Sequence, residues 1–295
     1  MQTMSDQAAA FRAVHPLAFT QHFLAEGVRP DGRRTLKSRR VHASASNLSS
    51  ANGSALVRLG HTLVVAAVQA EPVTPAESEP ARGRAVVTLE IAATSSVGGA
   101  AAIKGSGAAG RLEREQAATL ELLQRTVSNN LVDLDSICIE SGRAVWLLHC
   151  DVCVVEHDGN VLDAAMLAMT CAMQDVRLPS VQLEERDGLA PRLVVQQEEA
   201  IALPPPRPLF SLSFGVIGGH LVADPSAEEE VLCTTTFSVL FFEDGAFAGL
   251  HKPGGAPLPK PLADSAISAA KEKLPALVGV CLACQRTAAH ESLQR

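Results

Sequence analysis

The sequence predicts a mixed α/β (α+β) fold. Short apolar runs of strand length alternate with longer segments in which apolar residues recur at helical spacing, and turn residues separate the strand-like runs. Apolar residues make up 47% of the 295 residues, which is enough for the core of one large or two small domains. The order is strands, helix, strands, helix, and it loosely repeats after residue 130 without a sharp compositional boundary.

The N-terminal segment is predicted to be a helical arm. Apolar residues at helical spacing run through residues 5–27 and are interrupted by Pro16. A turn follows at 29–34, and between Arg29 and Arg40 six basic residues face a single acid. We interpret this basic run as a solvated connector, with a surface for a partner or for RNA as the alternative.

Strands and three further helices are predicted for the rest of the chain. The predicted strands are 54–59, 62–68, 85–92, 145–155, 180–183, 192–195, 209–216, 221–223, 232–242 and 246–250. The predicted helices cover about 111–129 and 161–176, and a final helix begins near Leu262. The helix at 161–176 is apolar on most sides, so we expect it to be buried.

Composition excludes several classes of protein. Nine Phe, one Trp and no Tyr leave too few aromatic residues for an RNA-binding sheet of the RRM type. A net charge of -7 argues against nucleic-acid binding over the whole surface, although a local basic patch remains possible. Seven cysteines and no apolar leader near Met1 favour a reducing compartment, and no apolar run is long enough to predict a membrane span.

A glycine-rich segment at 105–110 matches the G-x-G-x-x-G pattern of dinucleotide-binding sites. The strand before it ends near Ala92, whereas that pattern requires the first glycine directly after a strand. We therefore interpret it as a mobile loop, with a nucleotide-dependent oxidoreductase as an alternative. Its neighbours Lys104, Arg111 and Arg114 are the candidate phosphate contacts, because they stand at a helix start.

Two C-x-x-C pairs, Cys150 with Cys153 and Cys281 with Cys284, raise the possibility of a zinc site. Positions i and i+3 of a strand point to opposite faces, so the first pair cannot share a metal while the strand is intact. The separation of the two pairs also exceeds that of zinc ribbons. We predict core cysteines and no metal.

Two acidic segments are candidate sites. Asn160 is predicted to cap the helix at 161–176, with Asp163 completing a capping box. That carboxylate would make the helix start a poor phosphate site. The segment from Asp224 to Glu230 is predicted to be an acidic turn that could hold Mg²⁺ or supply a general acid, with a solvated turn as the alternative.

Five segments in this order resemble the ribonuclease PH-like family, specifically the ring subunits of the RNA exosome. They are 29–33 (RPDGR), 52–60 (NGSALVRLG), 151–164 with its DGNVLDA ending, 222–230 (VADPSAEEE) and 251–255 (HKPGG). The resemblance implies a ribonuclease PH-like, ribosomal protein S5 domain 2-like βα fold. It divides the chain into an N-terminal helical arm (1–28), a ribonuclease PH-like domain (29–275) and a C-terminal helix or tail (276–295).

The resemblance also implies a function. Active members place an essential carboxylate where Asp224 stands, and Glu230 matches a second acidic position. They bind phosphate through hydroxyl and arginine residues where this chain has residues 160–163, so the DGNxxDA form resembles the non-phosphorolytic branch. The expectation is a ring subunit without catalytic residues, cofactor or metal, whose Lys104, Arg111 and Arg114 contact RNA during 3′ to 5′ processing and decay of rRNA and mRNA. The alternative within the family is a phosphorolytic exoribonuclease using Asp224.

The expected partners follow from the same resemblance. They are a catalytic-type ribonuclease PH-like subunit that forms a heterodimer with the chain, the other subunits of a hexameric ring, cap subunits, associated ribonucleases and RNA. No membrane partner is expected. The expected location is the nucleus, including the nucleolus, and the cytoplasm.

Overall fold

The computed structural model describes residues 10–92, 106–186, 189–203 and 207–292. A first sheet contains six strands in the order β1-β2-β3-β6-β4, with β5 paired to β6. They are β1 (Val41–Ala45), β2 (Gly53–Leu59), β3 (Thr62–Val73), β4 (Arg84–Ile91), β5 (Cys138–Glu140) and β6 (Ala144–Glu156). Only the β4–β6 pair among them is parallel.

A second sheet of four antiparallel strands lies further along the chain, in the order β10-β9-β11-β12. Between the two sheets in sequence is a long antiparallel hairpin. These strands are β7 (Arg177–Arg186), β8 (Leu189–Ala202), β9 (Leu209–Ile217), β10 (His220–Ala223), β11 (Thr235–Phe242) and β12 (Phe247–His251). Nearly every residue of β9 is buried, because both of its faces are covered.

Among the described residues, five helices accompany the sheets in addition to a short helical segment at 10–14. They are α1 (Pro16–Ala25), α2 (Ser106–Thr126), α3 (Val161–Asp175), α4 (Ala227–Leu232) and α5 (Lys260–Ser292). Helical residues 10–14 precede α1, and Pro16 occupies a first-turn position, where its missing N–H costs no hydrogen bond. A wide turn at Val127–Leu131 continues α2. Among the described residues, no helix is both long and apolar enough to cross a membrane.

Helix α3 connects the two sheets and is the centre of the core. All ten of its residues from Ala164 to Met173 are buried. A Cβ on Gly53 of β2 would lie 2.6 Å from the carbonyl oxygen of Ala172, so only glycine lets this strand approach the helix so closely. On the opposite side, the Thr170 hydroxyl donates to the carbonyl oxygen of Leu209 in β9 at 3.2 Å. Sheet, helix and sheet therefore form layers around α3.

Most predicted elements are confirmed, and three expectations need correction. First, α2 begins at Ser106, so Gly107 and Gly110 belong to a helix, where neighbouring alanines favour helical structure, and not to a loop. Second, β6 belongs to the first sheet and α3 packs on that sheet. The repeat of the strand pattern expected after residue 130 therefore does not start a second sheet there, and the second sheet begins at β9. Third, the short strands expected near 180 and 192 are one hairpin, because both continue beyond the apolar runs.

Candidate functional site

Three segments that are remote in sequence meet at one end of α3. They are the basic run before β1, the turn that leads into α3, and the acidic segment after β10. We call their meeting point the charged junction, formed by Arg29, Arg33, Arg39, Asp158, Asn160, Asp224 and Glu229. The paired residues Arg39 and Asp224 are 185 positions apart, so only the complete fold brings them together.

Asp224 lies at the centre of the charged junction, and its carboxylate is fully engaged. Arg39 donates to it from the backbone N–H at 2.8 Å, from Nε at 2.9 Å and from Nη2 at 2.7 Å. Asn160 Nδ2 donates at 2.7 Å and Arg33 Nη1 at 3.2 Å. Burial alone would raise the pKa of Asp224, but the hydrogen bonds and charge of Arg39 outweigh it and hold that pKa below its usual value. An anion so paired is a structural counterion and not a free acid.

Arg29 holds the neighbouring part of the acidic segment from inside the protein. It is only 1% exposed, pairs with Glu229 at 3.1 Å and donates to the carbonyl oxygens of Thr35 at 2.7 Å and of Ala223. Burial lowers the pKa of Arg29, and the charge of Glu229 opposes that shift. The expectation of a solvated connector is therefore wrong for Arg29, Arg33 and Arg39, because a buried guanidinium must be paired and hydrogen-bonded. The other basic residues of the run, Arg34, Lys37 and Arg40, are exposed.

The acidic segment is also not a turn beyond its first residues. Asp224 itself has a φ of 51°, in the left-handed region, and α4 begins three residues later. Ser226 and Glu229 form a reciprocal capping box at the start of that helix. Glu229 accepts the Ser226 N–H at 2.9 Å while it pairs with Arg29, so one carboxylate both caps α4 and anchors it to the basic run.

The capping box predicted for α3 is wrong. Asn160 precedes the helix with a φ of 54°, and its side chain makes no cap hydrogen bond. It donates instead to Asp163 at 2.8 Å and to Asp224. Asp163 is turned away from the helix start and accepts hydrogen bonds from Ser211 Oγ at 2.8 Å and from Ser213 N and Oγ at 2.8 and 2.7 Å. Burial raises the pKa of Asp163, and these hydrogen bonds oppose the rise.

A different carboxylate occupies the start of α3. Glu230 Oε1 accepts the Asn160 backbone N–H at 2.7 Å. The N–H groups at a helix start are the natural place for a phosphate, so a carboxylate there competes with that ligand. The expectation of an acidic group at this helix start is met by Glu230 and not by Asp163.

A small cleft of about 80 Å³ opens beside this helix start, between α2, α3 and the second sheet. Glu115, His157, Glu230 and His251 are among the residues that line it, and none of the described lining residues is a lysine or an arginine. Burial lowers the pKa of His157, and burial together with Arg125 lowers that of His251. Both imidazoles are therefore neutral near pH 7, so neither adds a positive charge to the cleft.

The three predicted RNA-contact residues do not form a loop in the described part of the chain. Lys104 lies outside the described residues. Arg111 falls on the first turns of α2, and Arg114 is exposed on the same helix, one residue before the cleft-lining Glu115. The last described strand before the glycine pattern is β4, which ends at Ile91, and residues 93–105 between it and α2 lie outside the described residues.

Five of the seven cysteines are buried, and Cys138 and Cys153 are half-buried. Cys150 is fully buried on β6, whereas Cys153 faces the other side and is half-buried. Cys281 Sγ lies 3.6 Å from Cys171 Sγ, across the contact between α5 and α3. Within the described ranges, no group of three or more His, Cys, Asp or Glu side chains is placed to hold a metal ion.

Sequence reasoning missed the structural arginines of the charged junction. Arg29, Arg33 and Arg39 were expected to be at the surface because they belong to a run of six basic residues. The available signal was charge complementarity, since the chain contains one strongly basic run and one dense acidic segment. Their contact could not be predicted without the topology that joins them.

Comparison with known proteins places the chain in a family. The 3′ exoribonuclease family matches in two parts, domain 1 over residues 37–179 and domain 2 over residues 208–273. The exosome complex component Rrp42 of Sulfurisphaera tokodaii is 30% identical over 230 residues, covering 78% of this chain and 79% of the relative. The exosome complex component rrp43 of Schizosaccharomyces pombe is 28% identical over 273 residues, covering 92% and 97%.

A solved structure agrees with these sequence relatives. The chain superposes with a TM-score of 0.72 and 26% identity on a subunit of the Archaeoglobus fulgidus exosome with RNA bound to the active site, covering 88% of this chain and 95% of that one. Fold, sequence and order of segments thus agree over nearly the whole length. The chain belongs to the ribonuclease PH-like 3′ exoribonuclease family, in the branch that contains the exosome components Rrp42 and Rrp43.

Proposed function

We propose that the chain is a non-catalytic ring subunit of an RNA exosome. The observation that carries this proposal is the chemistry at the start of α3. The carboxylate of Asp224 accepts hydrogen bonds from Arg39, Arg33 and Asn160. The small cleft beside this helix start has no lysine or arginine among its described lining residues. The match to rrp43 of Schizosaccharomyces pombe covers 92% of this chain and 97% of that relative, which supports a subunit of the Rrp43 type.

Phosphorolysis requires phosphate to be held as a nucleophile beside the scissile bond. Two negatively charged reactants approach each other in that step, so the site must supply cations or N–H groups. Here Glu230 accepts the Asn160 N–H, and Glu115 adds a second carboxylate to the same cleft. A carboxylate therefore already accepts the N–H group at this helix start that a bound phosphate would use.

The assembly proposed for the chain is that of its relatives. It would pair with a catalytic-type ribonuclease PH-like subunit within a six-membered ring that also binds cap subunits, associated ribonucleases and RNA. Nuclear, nucleolar and cytoplasmic locations are proposed on the same basis. Near-complete coverage of an exosome component from fission yeast supports this reading.

We also propose that Lys104, Arg111 and Arg114 contact RNA in that ring. The protein has a net charge of -7, so it can attract a polyanion such as RNA only through a local cluster of positive charge, and these three residues form such a cluster in the sequence. Arg111 and Arg114 lie in the second and third turns of α2, beyond the first turn in which the helix dipole acts, so their own charges supply the attraction. Glu113 and Glu115 partly offset them, so the contribution is expected to be small.

The test of catalysis measures nucleoside diphosphates released from RNA in the presence of phosphate and Mg²⁺. The full chain is assayed alone and with its ring partners, and a phosphorolytic relative provides the positive control. The expected result is no release by the chain alone, and no reduction of the ring's activity in a Glu230→Gln variant. Release by the purified chain alone that stops when phosphate is omitted would overturn the proposal.

The test of RNA contact uses the assembled ring with Lys104, Arg111 and Arg114 all changed to Ala. RNA affinity should fall similarly for all sequences, and the log–log salt slope should decrease by roughly one unit for each lost phosphate contact. A matched ring with Arg82, Arg143 and Lys271 changed to Ala controls for loss of positive charge. If both triple variants keep the slope of the unmodified ring, the three residues do not contact RNA.

A further inference from the structure

A second and larger cleft lies on the other side of the charged junction. It has a volume of about 430 Å³ and is enclosed by β1, β9, α3 and α5. This volume falls within the range of about 300 to 1,000 Å³ that is typical of small-molecule sites. Its walls are mostly apolar, with Val57, Leu167, Leu212, Leu277 and Val280 among the contributing side chains. A cleft of this size and composition suits an apolar body.

The mouth of this α3–α5 cleft is positively charged. Lys37 and Arg40 come from the segment before β1, and Lys273 comes from α5. Among the described residues, none of these three lies within ion-pair distance of a carboxylate. The two lining carboxylates are committed elsewhere, since Asp163 is bound to Ser211, Ser213 and Asn160, and Asp224 is bound within the charged junction. The cleft therefore has an excess of cationic groups.

Lys273 is the cation placed deepest among them. It is half-buried, donates to Ser38 Oγ at 3.0 Å and lies 5.8 Å from the centre of the Phe214 ring. Burial, together with the charges of nearby Arg29 and Arg33, lowers the pKa of Lys273 to about 8, although the charges of Asp224 and Asp163 oppose that shift. An ammonium group in such surroundings gains stabilisation from any anion that reaches it.

We propose that the α3–α5 cleft binds a small amphipathic carboxylate, whose apolar body packs against Leu167, Leu277 and Val280 and whose anionic group is held by Lys273 and Arg40. An inorganic anion would leave the apolar walls exposed, and a neutral lipid would leave Lys273 uncompensated. The apolar walls and the cationic mouth together therefore favour a ligand that has both an apolar body and an anionic group. This cleft lies on the other side of the charged junction from the cleft beside Glu230, although Asn160 lines both, and its proposed ligand does not depend on the proposed ring function.

The experiment titrates the full chain with decanoate, below the concentration at which micelles form, by isothermal titration calorimetry. Decanol, which has the alkyl chain but no charge, and inorganic phosphate, which has charge but no alkyl chain, are the two comparison ligands. We expect saturable binding of one decanoate per chain, with decanol and phosphate each weaker by about tenfold or more, since a charge-assisted hydrogen bond and burial of the alkyl chain both contribute.

Variants assign the binding to this cleft. Lys273→Met should weaken decanoate binding by about tenfold, whereas Lys273→Arg, which keeps the charge, should retain most of it. Val280→Phe should weaken it by filling the cleft. Lys271→Met and Leu282→Phe, exposed substitutions on the same helix that do not line the cleft, are the matched controls and should bind decanoate unchanged.

Three outcomes would overturn the proposal. The first is the absence of saturable decanoate binding by the folded chain. The second is equal binding of decanol and decanoate that Lys273→Met leaves unchanged, which would mean nonspecific adsorption. The third is binding of phosphate as strong as that of decanoate, which would give the apolar walls no role. Circular dichroism of each variant confirms that it is folded.

Discussion

Replacing Arg39 with Met should destabilise the fold through Asp224. The carboxylate of Asp224 is 3% exposed and the Arg39 side chain is 9% exposed, so the substitution leaves a buried anion without its main partner. Removing one member of a buried ion pair costs about 3 to 5 kcal/mol. Asn160 at 2.7 Å and Arg33 at 3.2 Å remain as donors, so we take the lower end, about 3 kcal/mol.

For a chain of this size, a loss of about 3 kcal/mol corresponds to a decrease in Tm of roughly 6 to 12 °C. The measurement is thermal unfolding of Arg39→Met, with Arg40→Met as the matched control. Arg40 is exposed and adjacent, so its substitution should change the stability by at most about 0.5 kcal/mol. Equal Tm values for Arg39→Met and the unmodified chain would refute the reasoning that the charged junction is structural.

The same comparison has a defined pH dependence. In the unmodified chain the pKa of Asp224 is lowered, so its contribution is present above its unfolded pKa of about 4 and is lost as the pH falls through the lowered value. In Arg39→Met, burial without the arginine should raise that pKa, and the penalty should disappear as acid protonates the carboxylate. The difference in Tm should therefore be smaller at pH 4 than at pH 7. A difference that grows with acid would contradict this assignment.

Three further predictions concern single positions. Gly159→Ala should lower the Tm, because Gly159 has a φ of +78° and a Cβ would lie 2.5 Å from the Ala227 nitrogen; Gly142→Ala, at a φ of +77° with nothing within 4 Å, is the control and should cost clearly less. Ser226→Ala should cost about 1 kcal/mol by removing the cap of α4, measured by urea unfolding, and no loss would mean that the cap is unimportant. Because the folded pKa of Lys273 is lowered to about 8, the unmodified chain should gain stability relative to Lys273→Met as the pH rises from 8 to 10, and an unchanged difference in Tm would contradict that shift.

The parts of the fold that were predictable have strong local patterns. Strand β3 alternates buried and half-buried residues, and α3 is apolar on nearly every side, so both could be recognised in isolation. Helix α4 could not, because it has six residues and three consecutive glutamates, which also suit a turn. The ends of β7 and β8 were missed because hydrogen bonding between the two strands extends the hairpin beyond its apolar residues.

The candidate site was less predictable, because it depends on tertiary contacts. Asn160 and Asp163 have the sequence of a cap, but each finds a better partner outside its own helix, Asp224 for the first and the serines of β9 for the second. The helix start still receives a carboxylate, from Glu230. Local propensity therefore predicted the sign of the charge at this position but not the residue that supplies it.

The position of Arg29 has a consequence for where this protein can be cut. The match to the family begins at residue 37, and every strand of both sheets lies beyond residue 40. A fragment trimmed to that start would keep its β-structure but lose the buried cations of Arg29 and Arg33, leaving Glu229 with no described counterion. The smallest part of the chain that can fold stably therefore starts before β1. Proteolytic cleavage between residues 30 and 37 would weaken the packing of α4, which lies about 200 residues further along the chain.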